Sequence, residues 1–345
     1  MKRLLALILA LLCLTSCASM LEREATYTAP HAENPPAVGD TGYRVNTYLG
    51  LCSALQSYVE EGMAEGNFRF PATYPGNLTV DLEKAKRQLM EETAVGCYTL
   101  HDVTFHVSRI VAYYEVTAAF DYRVDPAEYR ALETVYLSSY RALNEHFQEA
   151  LENFGGSFTV RLEDCPLEED YDFVAERLRY IYDDSPELAV AYPDLEVTYY
   201  PENGAQRVAE VKVTYPESAT TLRLRQRNML RGAKELASEL DDPDTNDAES
   251  RFHFSMAAYE LVMERFSYDP EGGATAADAL QNGAATDEGL ARLWQLICHL
   301  KGVEHGVLRP TGSSQWYETV LGVPEGSATI LTFKPDTGQG EEAVT

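Results

Sequence analysis

The residues best placed for chemistry stand at the start of a helix. In "NGAATDEGLARLWQLICHL" (residues 282–300), Thr286 and Asp287 occupy the positions where a helix takes its cap, and Glu288 and Gly289 follow. Exposed N–H groups and the helix dipole lower the pKa of a thiol set at such a place and make it a nucleophile. Here the place holds an acid. A carboxylate attacks amides poorly, but it accepts hydrogen bonds from the free N–H groups, and a cap of this kind stabilises a helix by about 1 kcal/mol. Asp287 and Glu288 are also adjacent carboxylates. On a helix they point about 100° apart, whereas acid–base hydrolysis of a glycoside needs two carboxylates that face each other. A hydrolase acting through Asp287 or Glu288 is therefore an alternative that requires a second, facing acid. Cys298 falls in the apolar helix interior "LWQLICHL" and reads as a core thiol. His299 and His305 flank a turn, with no carboxylate or thiol at ligand spacing, so neither a metal nor a cofactor is expected. His101 and His106 flank a strand and read as edge positions.

The chain has 345 residues, 45% of them hydrophobic and 24% charged, with a formal charge of −27. Its length allows two or three domains with cores of their own. So acidic a balance argues against a nucleic-acid partner and against general adhesion to anionic lipid. The first stretch, "MKRLLALILALLCLTSC", has a positive start at Lys2 and Arg3 and an apolar run, Leu4 to Leu12, that is too short to span a bilayer. "LTSC" (Leu14 to Cys17) resembles the lipobox of bacterial lipoproteins. That resemblance implies cleavage before Cys17, a diacylglyceryl group on its sulfur, and an acyl-anchored protein on the extracytoplasmic side of the cell membrane. Loss of Lys2 and Arg3 would take the charge to −29. The other reading is a plain secretory peptide with an incidental Cys17. Cys52, Cys97, Cys165 and Cys298 remain, without zinc spacing. A Cys52–Cys97 disulfide and four buried thiols are both open readings.

The elements that must position these residues follow a repeating order. Residues 17–42 are polar, carry Pro35-Pro36, and read as a lipidated tether behind the 1–16 signal peptide. Residues 43–125 read as a helix, a short strand, a second helix and a hairpin; residues 126–217 repeat that order about ninety residues later. Each copy reads as a small α+β module with a helix on an antiparallel hairpin, and Asn203-Gly204 suits a tight turn in the second. Of the 22 tyrosines, the pairs Tyr113-Tyr114 and Tyr199-Tyr200 fit strand-face packing; a carbohydrate- or peptide-binding surface is the other use. A linker helix spans 218–249. The helix after it is amphipathic through Phe254, Ala257, Ala258, Leu261, Val262 and Phe266. A polar tail covers 334–345.

Residues 250–333 resemble the transglutaminase-like fold, a relative of papain-like enzymes. The likeness rests on "FSYD" (266–269), "TAADALQNG" (275–283), "TDEGLA" (286–291) and the turn "HLKGVEHGVL" (299–308). "DDSPEL" (183–188) resembles a segment of modules that precede such domains in clostridial surface proteins. The resemblance implies a cysteine nucleophile, a histidine and an aspartate. Asp287 stands at the cysteine position, Ser314, two residues before Trp316, at the histidine position, and Ile330 at the aspartate position. Thr286, Glu288, Gly289 and Trp316 would line the cleft. None of the three substitutes can generate a thiolate, shuttle a proton or orient an imidazole. The expectation is a pseudoenzyme: an anchored, non-catalytic surface lipoprotein that binds protein or cell-wall material. A non-thiol hydrolase near Asp287 and a solute-binding lipoprotein are the alternatives.

Overall fold

Two successive stretches of the chain build sheets with the same strand order. The computed structural model describes residues 42–137, 139–165, 172–303, 318–322 and 328–333. In the first stretch come β1 (Tyr43–Arg44), α1 (Tyr48–Glu61), β2 (Glu65–Pro71), α2 (Leu78–Glu92), α3 (Ala94–Thr99), β3 (Leu100–Ile110) and β4 (Tyr113–Tyr122), in the sheet order β1-β2-β4-β3. After α4 (Pro126–Ala131) follow β5 (Glu133–Tyr136), α5 (Arg141–Asn153), β6 (Gly156–Glu163), α6 (Phe173–Asp184), β7 (Asp194–Tyr200) and β8 (Arg207–Thr214), in the order β5-β6-β8-β7. In both sheets the opening strand pairs in parallel with the next, β1 with β2 and β5 with β6. β4 pairs antiparallel with both of its neighbours. The architecture is mixed α+β.

The remaining elements are α7 (Ala219–Ala237), α8 (Ala248–Arg265), β9 (Ser267–Tyr268), α9 (Ala276–Asn282), β10 (Ala284–Ala285), α10 (Asp287–Leu300), β11 (Glu318–Gly322) and β12 (Ala328–Thr332). β9 and β10 pair in parallel, β11 and β12 antiparallel. The chain divides into two compact units, Met1–Leu132 with Tyr200–Val208, and Glu133–Tyr199 with Ala209–Thr345. Among the described residues no helix is long and apolar enough to cross a membrane.

In the first unit, period-two burial along β4 turns Val116, Ala118 and Phe120 inward, where they join Phe68 and Phe70 of β2. Leu51, Leu55 and Val59 of α1 and Leu82, Ala85 and Leu89 of α2 complete that core. Its helices start on side-chain caps: Thr47 Oγ1 accepts from the Gly50 N–H at 3.1 Å, and Asn77 Oδ1 from the Val80 N–H. Thr93 both ends α2 and caps α3, donating to the Leu89 carbonyl at 2.6 Å and accepting from the Gly96 N–H at 3.1 Å. This tight junction explains Gly96, where a Cβ would lie 2.0 Å from the Leu89 oxygen. In the second unit one core gathers Leu143, Phe147 and Leu151 of α5, Val160 and Leu162 of β6, and Val211 and Val213 of β8. Another surrounds α10.

Two expectations change, and the open reading of the cysteines is decided. The strands β1 and β5 carry no alternation a pattern could reveal, since they are two and four residues long. The β7–β8 connection is the six-residue stretch 201–206 rather than a two-residue Asn-Gly turn; Pro201 is buried and the Arg207 Nε donates to the Gly204 carbonyl at 2.7 Å. Cys52 and Cys97 are free thiols, as are Cys165 and Cys298. The Cys52 thiol faces Gln88 of α2 at 3.5 Å. The paired tyrosines pack on strands: Arg69 lies over Tyr113 and Arg109 over Tyr114, while Tyr199 meets Phe173 and Tyr200 meets Tyr98.

Phe68 is fully buried against Tyr58, ring centroids 5.3 Å apart. Phe68→Ala should cost about 3–5 kcal/mol in urea unfolding. Val107→Ala, at an exposed position of β3, should stay within about 0.5 kcal/mol in the same measurement.

Candidate functional site

The start of α10 is held by backbone geometry. Thr286 has an extended backbone, and its Oγ1 accepts from the Gly289 N–H at 3.3 Å. Its own N–H donates to the Gly273 carbonyl at 3.1 Å. Asp287 and Glu288 form the first turn, both partly exposed. Beneath it the short strands exchange Ser267 N–H to Gly283 carbonyl at 3.0 Å and Asp269 N–H to Ala285 carbonyl at 2.8 Å. Gly289 is buried, and a Cβ there would lie 2.7 Å from the Gly273 oxygen and 2.7 Å from the Ala285 Cβ. Its part is to let the loop before α9 lie against the helix.

The segment "TAADALQNG" has a local cause for nearly every residue. Thr275 caps α9, accepting from the Asp278 N–H at 3.2 Å while Asp278 Oδ2 accepts from the Thr275 N–H at 3.1 Å, a reciprocal capping box. Ala276, Ala277 and Ala279 are buried, and Gly283 closes the helix with a φ of 70°. Arg225 of α7 ties the box down by bonding Asp278, and its other nitrogen meets Glu217 at 3.1 Å.

One buried charge dominates this unit. Ten consecutive residues of α10, Gly289 to Cys298, are buried, and one of them is Arg292, only 2% exposed. A guanidinium remains charged at any pH a protein meets, so it must be paired there. Its Nε and Nη2 donate to Glu288 Oε1 at 2.9 and 2.8 Å. Nη2 also donates to Asp183 Oδ1 of α6 at 2.8 Å. Its flat face covers the Tyr182 ring at 4.7 Å, and burial pushes that phenol up, so the cation rests on a neutral ring. Nη1 is buried without an acceptor among the described residues.

The segment "DDSPEL" is the other half of this clamp. The Asp183 carbonyl accepts from Gln295 Nε2 at 2.7 Å, and the Glu187 carbonyl from Gln226 of α7 at 2.9 Å. The Glu187 carboxylate lies 3.4 Å from His299, and the Ser185 hydroxyl bonds Gln148 of α5 at 3.2 Å. Neither Arg292 nor its role stood out in the sequence. The available signal was an i,i+4 Glu288–Arg292 pair on the polar side of an amphipathic helix.

Of the other expected site residues, Ile330 lies in β12 opposite Val320 of β11. Ser314, Trp316, His305 and Cys17 lie outside the described residues. The end of β12 docks through Phe333, which meets Tyr259 of α8 and Trp294 of α10 at 5.3 and 5.8 Å. The Tyr259 hydroxyl donates to the Thr332 carbonyl at 2.8 Å. Cys298 is fully buried, and burial pushes its thiol well up. Burial likewise raises Cys52 and Cys97. His101 and His106 are exposed on β3, an edge strand. Among the described residues no group of three or more His, Cys, Asp or Glu side chains could hold a metal ion.

A cavity of about 890 Å³ lies elsewhere in the unit, along α7 and α9. Leu224, Met229 and Leu280 supply apolar wall, and Arg225, Arg265 and Asp278 supply charge. Those charges are paired: Arg265 grips both oxygens of Glu239 at 2.7 Å, and Arg225 holds Asp278. Arg231 and Glu235 line it as well, so the cavity can bind by shape, polarity and charge. No protein-family model, no curated protein and no solved structure matches the chain.

Removing one partner of a buried ion cluster strands the others. Arg292→Met should therefore destabilise the protein by about 3 kcal/mol or more in denaturant unfolding. Adding Asp183→Asn and Glu288→Gln to that variant should recover much of the loss, because the stranded charges are then gone. The Cys298 thiol gives a second expectation. Its folded pKa lies above the ordinary value of 9.0, so its contribution is complete below that value and is lost as pH rises beyond it, when only the unfolded chain releases the proton. Cys298→Ala should flatten the alkaline fall of stability measured by unfolding at a series of pH values.

Proposed function

We propose that this chain is a membrane-anchored, extracytoplasmic lipoprotein whose C-terminal part is a transglutaminase-like domain without the reactive triad, and that it binds protein or cell-wall material without transforming it. The observation that carries the reading is the chemistry at the start of α10. An acid, Asp287, stands where the resemblance implies a thiol, behind a Thr286 cap that already holds the helix end. The thiols at Cys52, Cys97 and Cys298 are all held protonated by burial, Cys298 most completely, which is the reverse of what a nucleophilic cysteine needs. An acid–base hydrolase built on Asp287 and Glu288 finds less support, since the Glu288 carboxylate is engaged by two nitrogens of Arg292.

Two measurements bear on the two halves of the proposal. Native protein treated with iodoacetamide should show no cysteine faster than an ordinary thiol, with Cys298 modified only on unfolding, and no peptide should be cleaved or cross-linked. A single hyper-reactive cysteine together with turnover would refute the non-catalytic reading. Anchoring is tested by incorporation of labelled palmitate in a bacterial host: the label should be present in the parent and absent in Cys17→Ser. Label in both, or in neither, would remove the lipoprotein assignment.

A further inference from the structure

The helix α7 carries Arg223, Arg225, Arg227, Arg231 and Lys234 in a chain whose formal charge is −27. Arg225 belongs to the capping network of α9. The other four fall at steps of four, four and three residues, which on a helix confines them to an arc of about 80°. That arc turns away from the buried side of α7, made by Leu222, Met229, Ala233 and Leu236. All four are exposed. Among the described residues the side chains of Arg223, Arg227 and Lys234 make no hydrogen bond or ion pair, and that of Arg231 donates only to Asn228 at 3.0 Å. Arg227, Arg231 and Lys234 also line a hollow of about 480 Å³, in which Glu235 is the one carboxylate. In a chain with 55 acidic residues, this row of cations thus forms no ion pair among the described residues.

We propose that the outer face of α7 is a binding track for a linear polyanion of phosphate groups. The helical rise sets successive cations about 6 Å apart over a run of roughly 16 Å, so an extended chain can meet them one after another. Three of the four are arginines, whose planar fork bonds two phosphate oxygens at once. Line geometry decides against a membrane plane. Charges feel one another over about 8–10 Å at ordinary salt, so a flat anionic surface would be repelled by the acidic surroundings, whereas a thread touches the row alone. The inference rests on α7 and is independent of the reading of α10.

The test uses the full chain in non-ionic detergent and fluorescent inorganic polyphosphate, with binding followed by anisotropy across a salt series. Binding should weaken with salt, the logarithmic slope approaching about −3 for four contacts with a flexible chain. Arg227→Gln/Arg231→Gln, which preserves helix propensity, should weaken binding at least about tenfold and reduce the slope by between about 1 and 2. Arg44→Gln/Arg87→Gln removes the same charge from exposed positions of the first unit and should leave both unchanged. Equal losses in the two double variants, or salt-independent binding, would overturn the proposal. So would polyglutamate binding as tightly as polyphosphate, or capture by vesicles of anionic phospholipid that depends on the same two arginines.

Discussion

The second unit depends on the pairing of a guanidinium that water cannot reach. Arg292 sits among ten buried residues of α10, and the fold around it is arranged to give it Glu288 from one turn back, Asp183 from α6 and the face of Tyr182. Such a cluster adds little net stability over a well-packed apolar one, since desolvation offsets most of the attraction. What it does supply is register. A leucine in that position would tolerate a rotated or shifted α6, whereas a guanidinium whose acceptors must lie within about 3 Å does not. The neighbouring bonds repeat the constraint, from Gln295 to the Asp183 carbonyl and from Gln226 to that of Glu187.

The same economy governs the start of α10. Thr286, Gly289, Gly273 and the box of Thr275 with Asp278 form one connected piece of backbone chemistry, and Arg225 fastens it to α7. Each residue has a reason that involves no substrate. A terminus so fully supported can carry almost any polar side chain at Asp287 and remain a helix start. The framework therefore holds whichever polar residue it presents, and the proposed non-catalytic reading is compatible with that tolerance.

Much of this was legible in the sequence because it is local. Alternation in "AYYEVTAAFDY" is β4, the three- and four-residue steps from Phe254 to Val262 are the buried side of α8, and the Thr before "AADALQNG" is a cap. The repeated order of helix, strand, helix and hairpin emerged for the same reason. What escaped was non-local or too short to have a period. β1 and β5 are strands only because β2 and β6 lie beside them. Arg292 reads as a polar position of an amphipathic helix until Asp183 is brought to it. At the proposed site, Asp287 could be placed at a helix start from its neighbours alone, while the commitment of Glu288 to Arg292 could not be separated from an available acid.

The bond between Asp183 and Arg292 closes a loop of 109 residues. Closing so long a loop costs entropy before any contact compensates, which makes the step late and slow. During synthesis the apolar face of α6 can pack on α5, β6 and β8 as soon as these have formed, while the Asp183 carboxylate has to wait a further 109 residues for its guanidinium.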